Sequence, residues 1–114
     1  MKIVNTKAQM RKGVLEFCIL SVLKHGDAYT SEILAALKDA KMIVVEGTIY
    51  PLLTRLKNAG LLSYRWEESK SGPPRKYYKL TKKGENFLTE LSYTWHELVS
   101  AVDLVTNQKS TNNE

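Results

Sequence analysis

Two groups of residues in the middle of the chain have side chains that suit binding to nucleic acid. The first group combines a small residue, hydroxyl side chains and one guanidinium: Gly47, Thr48, Tyr50, Thr54 and Arg55. The second group is basic and contains aromatic residues: Lys70, Arg75, Lys76 and Lys79, with Tyr77 and Tyr78 among them. Cationic side chains neutralise phosphates, and hydroxyl and guanidinium groups can hydrogen-bond to phosphates or base edges. The candidate DNA-binding residues are the whole first group together with Lys70, Arg75 and Lys76 of the second group.

The sequence lacks the patterns of an enzyme or of a metal protein. No nucleophile, base and orienting group occur in a recognisable combination, and His25 and His96 have no cluster of partners. The one cysteine, Cys18, cannot form an internal disulfide, and no Cys/His spacing resembles a zinc site. We therefore expect no catalytic residues, no metal and no cofactor. Cys18 lies in the most apolar part of the chain, which favours inert packing over redox sensing.

The charge of the chain is distributed unevenly. The 114 residues allow one compact domain, and 17 basic against 12 acidic residues give a net charge of +5. Residues 61–84 contain seven basic and two acidic residues, whereas residues 85–114 contain one basic and five acidic residues. An anionic partner is therefore expected to bind the middle of the chain, and the C-terminal segment is expected to do something else.

No segment is predicted to cross a membrane. The longest nearly apolar stretch, residues 14–23, contains Glu16 and is far shorter than the roughly 20 residues that a span requires. The N-terminus lacks a signal-peptide pattern, because the apolar stretch ends in Lys24-His25-Gly26. The expected location is the cytoplasm.

Three predicted helices position the first group of candidate residues. The first helix, residues 7–24, is apolar around most of its circumference, so we expect it to pack on its own domain and on a second copy of the chain. A short amphipathic helix follows at residues 29–40, and residues 42–45 are predicted to be briefly extended. The third helix, residues 46–59, has core residues at Ile49, Leu52, Leu53 and Leu56 and leaves the candidate residues on other faces.

A hairpin and a long helix complete the chain. Apolar and polar residues alternate over residues 62–68, which predicts a β-strand. After a six-residue loop at 69–74, residues 75–80 are predicted to form the returning strand. The final helix, residues 81–105, has a heptad-like apolar stripe. That stripe, with a residue of the first helix, is the predicted dimer interface: Leu15, Phe87, Leu91, Trp95, Leu98 and Val102, with Val105 at the end of the stripe.

This order of elements is that of a winged helix-turn-helix domain extended by a dimerisation helix. The fold class is therefore mainly α with a β-hairpin wing. We predict a DNA-binding domain at residues 1–80, a C-terminal dimerisation helix at 81–106 and a disordered tail at 107–114. In such a domain the third helix enters the major groove, and the hairpin lies along the neighbouring backbone or minor groove.

Three segments of the sequence resemble the PadR family of bacterial transcriptional regulators. They are Gly47-Thr48-Ile49-Tyr50-Pro51-Leu52-Leu53-Thr54-Arg55-Leu56, then Gly60-Leu61-Leu62, then Arg75-Lys76-Tyr77-Tyr78-Lys79-Leu80-Thr81 before Gly84. The resemblance extends over roughly residues 15–105. The sequence departs from the family's pattern at two places. Thr30-Ser31 replaces a glycine and an aromatic residue that are common there, and Glu46 has a carboxylate that would repel a phosphate.

The resemblance implies a homodimeric repressor of the family's shorter size class. Such a protein binds a palindromic operator in double-stranded DNA and releases it when a small aromatic or drug-like effector binds. By position, the resemblance places Gly47, Thr48, Tyr50 and Thr54 against DNA, with Arg75 and Lys76 at the wing. It also places Trp95 at the dimer interface, where this tryptophan stacks on ligands in some members.

Two other functions remain open at this stage. The hydrophobic stripe could join a protein complex in a winged-helix module that never binds DNA, and a winged helix could instead bind RNA. A steep fall in affinity between about 50 and 200 mM salt would favour nucleic-acid binding over the protein-binding module. The residue-level alternatives are structural: a basic hairpin is often only a solvated surface, and Trp95 could serve only as interface core.

Overall fold

The computed structural model describes residues 2–107. Within that range, where the sequence predicted four helices and two strands, the chain forms five helices and three strands. They are α1 (Ile3–Lys12), α2 (Leu15–Lys24), β1 (Ala28–Tyr29), α3 (Thr30–Asp39), α4 (Glu46–Asn58), β2 (Leu62–Ser69), β3 (Gly72–Leu80) and α5 (Lys82–Thr106). Most of the predicted tail, residues 108–114, lies outside the described residues.

The prediction of one continuous first helix is wrong. The chain forms α1 and α2 instead, with a break at Gly13 and Val14. Glycine is a poor helix former, and α1 has no buried residue whose packing could hold the two parts in line. Only α2 belongs to the core, through Leu15, Ile19, Leu20 and Leu23.

The helix-turn-helix pair, α3 and α4, lies close to its predicted bounds. Ile33 and Leu37 of α3 pack with Ile49, Leu53 and Leu56 of α4 in the core. The predicted stop after α4 is confirmed: Gly60 has φ +81°, and the amides of Gly60 and Leu61 donate to the carbonyls of Lys57 and Leu56. Residues 42–45 between the two helices form no strand.

The hairpin is longer than predicted and belongs to a three-stranded antiparallel sheet in the order β1-β3-β2. The prediction of a six-residue loop is wrong, because only Lys70 and Ser71 separate β2 from β3. A register irregularity between Glu67 and Ser69 lies opposite the two prolines of β3, which have no N–H to offer a partner strand. The two residues of β1, which the sequence did not reveal, pair with Tyr77 and Tyr78.

The first turns of α5 are part of the core. Leu88 is buried, and Gly84 lies so close to the α4–β2 connection that a Cβ added there would be 2.1 Å from the Leu61 oxygen. Thr81 caps the helix by accepting a hydrogen bond from the Gly84 amide at 3.0 Å. The side chains of Thr81 and Lys83 also donate to the carbonyls of Gly60 and Ala59. These contacts fix the start of α5 to the end of α4.

Beyond Leu91 and Ser92, almost all side chains of α5 are exposed. The helix has 25 residues, which corresponds to about 37 Å. The molecule is correspondingly elongated, at 66 × 34 × 22 Å. Among residues 2–107 no helix combines the length and the apolar character that a membrane span requires.

Candidate nucleic-acid interface

The outer surface of α4 displays all five candidate residues of the first group. Its buried side chains hold one face of the helix on the core, so Gly47, Thr48, Tyr50, Thr54 and Arg55 are exposed. The helix continues through Pro51, whose missing N–H leaves the Gly47 carbonyl without its usual helical donor. Nothing lies within 4 Å of the position of a Cβ at Gly47. This surface is open enough for another backbone to approach it.

The guanidinium of Arg55 already has a partner within the chain. Its Nε donates to Oε2 of Glu16 at 2.7 Å, and its Nη2 donates to the same oxygen. Glu16 belongs to α2, so the ion pair joins two helices. The Arg55 side chain is 68% exposed nevertheless. Its positive charge is therefore balanced while part of the guanidinium still faces solvent.

The wing places the candidate residues Arg75 and Lys76 on opposite faces of the sheet. Successive residues of a strand point to opposite sides, and the register pairs Arg75 with Glu67 and Lys76 with Trp66. Lys70 lies at the exposed turn of the hairpin. The side chains of Arg75 and Lys76 therefore lie apart, and each contacts a different set of residues.

Arg75 lies on a face made of alternating arginine and tyrosine side chains. Its guanidinium lies 4.5 Å from the centroid of the Tyr29 ring and donates to the Tyr29 hydroxyl at 3.1 Å. The Tyr29 ring meets that of Tyr77 edge to face, at 5.1 Å between centroids. Arg65 lies on the other side, with its guanidinium 5.2 Å from the centroid of Tyr77. Two arginines thus flank two tyrosines.

The two arginines of this face differ in their charge balance. Arg65 donates to Asp27 at 2.5 Å and to Glu67 at 2.6 Å, and these hydrogen bonds raise the pKa of Arg65 above its ordinary value. Arg75 has only the uncharged Tyr29 as a partner in the part of the chain that the structure describes. Arg75 therefore keeps an unbalanced positive charge at an exposed site.

Lys76 lies over an aromatic cluster on the other face. Its ammonium group is 4.1 Å from the ring centroid of Tyr64, 5.6 Å from that of Tyr78 and 5.8 Å from that of Trp66. Lys57, near the end of α4, approaches the same Tyr64 ring at 5.4 Å. The cluster thus connects the wing to α4 through one tyrosine.

Sequence reasoning missed the residues that hold these candidates in place. Arg65 and Glu67 were recognisable, since two residues on one predicted strand share a face. Glu16 could not be found, because its partner is 39 residues away. Tyr29 and Asp27 precede α3, and the pairing of the two-residue β1 with β3 brings them to the hairpin, but so short a strand has no periodicity to recognise.

A second surface of interest is the apolar stripe of α5. Trp95 is 38% exposed, Leu98 52% and Val102 49%, and Phe87 is exposed to the same degree as Trp95. Leu91 is half-buried against the core. Leu15 differs from the other predicted interface residues: it is only 5% exposed within its own chain, which leaves little of its side chain for a partner.

An open groove of about 540 Å³ lies between α1 and α5 beside this stripe. Its lining is mostly apolar, with charged groups from Arg11 and Asp103. Trp95 contributes to the groove and also contacts Phe17 of α2, at 6.4 Å between ring centroids. The groove has the size and the lining of a small-molecule site. Among residues 2–107, no three or more His, Cys, Asp or Glu side chains form a group that could hold a metal ion.

Comparison with known proteins gives a consistent result. Residues 19–90 match the family described as transcriptional regulator PadR-like. The chain is also 27% identical over 101 residues to an uncharacterized protein of Lysinibacillus sphaericus, an alignment that covers 86% of this chain and 93% of that protein.

Several solved structures are similar over almost their whole length. A PadR-like transcription factor from Bacteroides fragilis is 61% identical, with 89% of this chain and 98% of that chain covered and a TM-score of 0.74. A PadR family transcriptional regulator from Eggerthella lenta is 33% identical, with 91% of each chain covered and a TM-score of 0.84. A PadR-like transcriptional regulator from Bacillus cereus is 37% identical, with 86% and 96% covered and a TM-score of 0.75.

Proposed function

Because this chain belongs to the PadR-like family of transcriptional regulators, we propose that it is a homodimeric repressor that binds a palindromic DNA operator. A small aromatic or drug-like effector releases it from the operator. Family membership confirms the resemblance seen in the sequence, and the winged-helix fold is confirmed with it. The prediction that the chain is not an enzyme is also confirmed, since the family consists of transcriptional regulators.

One observation supports DNA as the partner more than any other. Arg75 is an exposed cation that no carboxylate among residues 2–107 pairs with, and it lies on the hairpin of a winged helix whose α4 has an open outer face. A cation of this kind gains a partner when a phosphate approaches, whereas a cation that is already paired must first lose one. In the proposal, Thr48, Tyr50 and Thr54 of α4 face the major groove while Lys70, Arg75 and Lys76 contact the backbone.

The apolar stripe of α5 supports the proposed homodimer. Trp95, Leu98 and Val102 form a continuous exposed row along a helix that projects from the core. Isolated exposed apolar residues are common on soluble proteins, but a continuous row of this kind is typical of an interface. The proposed division of the chain follows from this: residues 1–80 bind DNA, and residues 81–106 bind the second copy.

The proposed effector site is the groove beside Trp95. An aromatic ligand there would contact α5 and the break between α1 and α2, at Gly13 and Val14. It would weaken operator binding only if it bound the DNA-free arrangement of the dimer more tightly. The proposed location of a regulator with these partners is the cytoplasm.

The test is selection of bound duplexes from a random pool, followed by binding at several salt concentrations. A repeated motif with two-fold symmetry, and half-sites about 10 base pairs apart, is expected for a dimer with two recognition helices on one face of DNA. Affinity for the recovered duplex should fall steeply between about 50 and 200 mM salt. Failure to enrich any duplex, with salt-independent capture of a protein partner, would favour the protein-binding module instead. Equal binding to single-stranded RNA would favour an RNA-binding winged helix.

A further inference from the structure

We propose that Tyr29 is a positioning residue for DNA binding: it holds the guanidinium of Arg75 in place on the wing. This inference rests on the proposed function, since it assigns Tyr29 a part in the binding of DNA by Arg75. It concerns a residue that lies outside both groups of candidate DNA-binding residues.

Tyr29 contacts Arg75 in two independent ways. The hydroxyl accepts a hydrogen bond from Nη1 at 3.1 Å, and the guanidinium carbon lies over the ring, 4.5 Å from its centroid. The ring restrains the plane of the guanidinium, and the hydroxyl restrains its rotation within that plane. A free arginine on a hairpin would lose rotamer freedom when it bound a phosphate. Tyr29 reduces that loss because it orders the side chain beforehand.

Tyr29 is itself held by two elements, β3 and α3. Its backbone pairs with Tyr77 in β3, and its ring meets the Tyr77 ring at 75°. It is also the N-cap residue of α3, where its amide donates to Glu32 at 3.2 Å. Arg75 is therefore fixed both to the hairpin and to the first helix of the helix-turn-helix pair. The wing cation and the helices keep one relative position as they meet DNA.

The charges around Arg75 favour positioning over simple ion pairing. Glu67 faces Arg75 in the strand register but bonds to Arg65, which also binds Asp27. Glu67 and Asp27 are thus both occupied by Arg65, and the contact of Arg75 with Tyr29 is uncharged. Tyr29 can restrain Arg75 without neutralising it, which leaves the full charge for a phosphate.

The test is a double-mutant cycle of Tyr29 and Arg75, with binding of the selected operator duplex measured by fluorescence anisotropy. Tyr29→Leu should weaken binding about 5-fold, and Tyr29→Phe, which keeps the ring, about 2-fold. Neither change should have an effect when Arg75 is already alanine. Tyr29→Leu should also leave the salt slope nearly unchanged, because the charge of Arg75 remains, whereas Arg75→Ala should reduce the slope by about one.

Tyr93→Leu, which removes an exposed tyrosine of α5, is the matched control and should bind as the wild type does. Thermal unfolding of every variant separates a loss of folding from a loss of positioning. Equal weakening by Tyr29→Leu in the wild-type and Arg75→Ala backgrounds would overturn the inference, as would unchanged binding by Tyr29→Leu. Wild-type protein that does not bind the duplex at all would instead overturn the proposed function.

Discussion

The arginine side chains of the proposed DNA-binding half differ in how their charge is balanced. Arg55 is paired with Glu16 and Arg65 with Asp27 and Glu67, whereas within the described residues Arg75 has Tyr29 alone as a side-chain partner. Exposed ion pairs of this kind add little to stability. Their consequence for DNA binding is larger. A guanidinium that is already paired with a carboxylate neutralises a phosphate less effectively, so fewer of the counterions condensed on the DNA are released.

Arg75→Ala and Arg55→Ala should therefore differ in their effect on the salt dependence of DNA binding. Arg75→Ala is expected to lower affinity for all duplexes and to reduce the salt slope by about one. Arg55→Ala should reduce the slope by less than half as much, because Glu16 balances this charge in the free protein. The measurement is the affinity of each variant for one duplex over a series of salt concentrations. Equal reductions would show that Glu16 does not restrain Arg55.

Cys18 should react slowly with alkylating agents. Burial in α2 raises the pKa of the Cys18 thiol, so less of the reactive thiolate is present at a given pH. At pH 8 its reaction with iodoacetamide should be at least about 3-fold slower than that of the unfolded chain. Folded and denatured protein, compared in a mass-spectrometric time course, provide the measurement and its control. A faster reaction in the folded state would contradict inert packing.

At the level of the elements, the start of α5 is held closely against the end of α4. Thr81 and Lys83 donate hydrogen bonds to the carbonyls that follow α4, and Gly84 packs against the backbone of Leu61. The proposed recognition helix and the proposed dimerisation helix are thus joined at one end. A shift of α5 in the dimer would be transmitted to α4 rather than absorbed by a flexible linker.

Gly84→Ala should disrupt this connection and destabilise the protein. Its Cβ would lie 2.1 Å from a backbone oxygen, so α5 must move away from the α4–β2 connection. We expect the free energy of unfolding to fall by about 2–4 kcal/mol. Gly47→Ala is the matched control in another helix: its Cβ meets nothing within 4 Å, and stability should change by no more than about 1 kcal/mol. Denaturant unfolding of both variants is the measurement, and equal stabilities would contradict this packing.

At the scale of the whole molecule, the elongated shape follows from α5. The helix projects from the core with an exposed apolar stripe along one side, while Tyr93 and Leu104 lie on the opposite side. For two copies to bind one face of DNA, their recognition helices must be about 34 Å apart. In the proposed dimer, packing along the stripe sets that distance.

Leu98→Glu should separate the proposed dimer. A carboxylate in the stripe would be buried against apolar residues of the second copy, and the dimer dissociation constant should rise at least about 10-fold. Leu104→Glu is the matched control, because Leu104 is equally apolar and 74% exposed but lies on the opposite side of α5. Sedimentation velocity at micromolar concentration is the measurement. A wild-type protein that is already monomeric would contradict the use of the stripe as an interface.

Much of this fold could be predicted because its signals are local. The 3,4 spacing of Ile49, Leu53 and Leu56 predicted α4, Gly60 its stop, and the alternation from Leu62 to Trp66 a strand. The exposure of Thr48, Tyr50 and Thr54 followed from the same periodicity. Each of these signals lies within a few residues of the feature it determines, so the sequence alone contained them.

Contacts between distant residues were decided only by the tertiary structure. The two-residue β1 and the pairing of Glu16 with Arg55 depend on packing between segments that are far apart in the chain. The same holds for Tyr29 beneath Arg75, 46 residues away. Amino-acid types determined that the middle of the chain is cationic, but only the folded arrangement determined which of its cations remain unpaired, because a carboxylate neutralises the cation that folding brings near it.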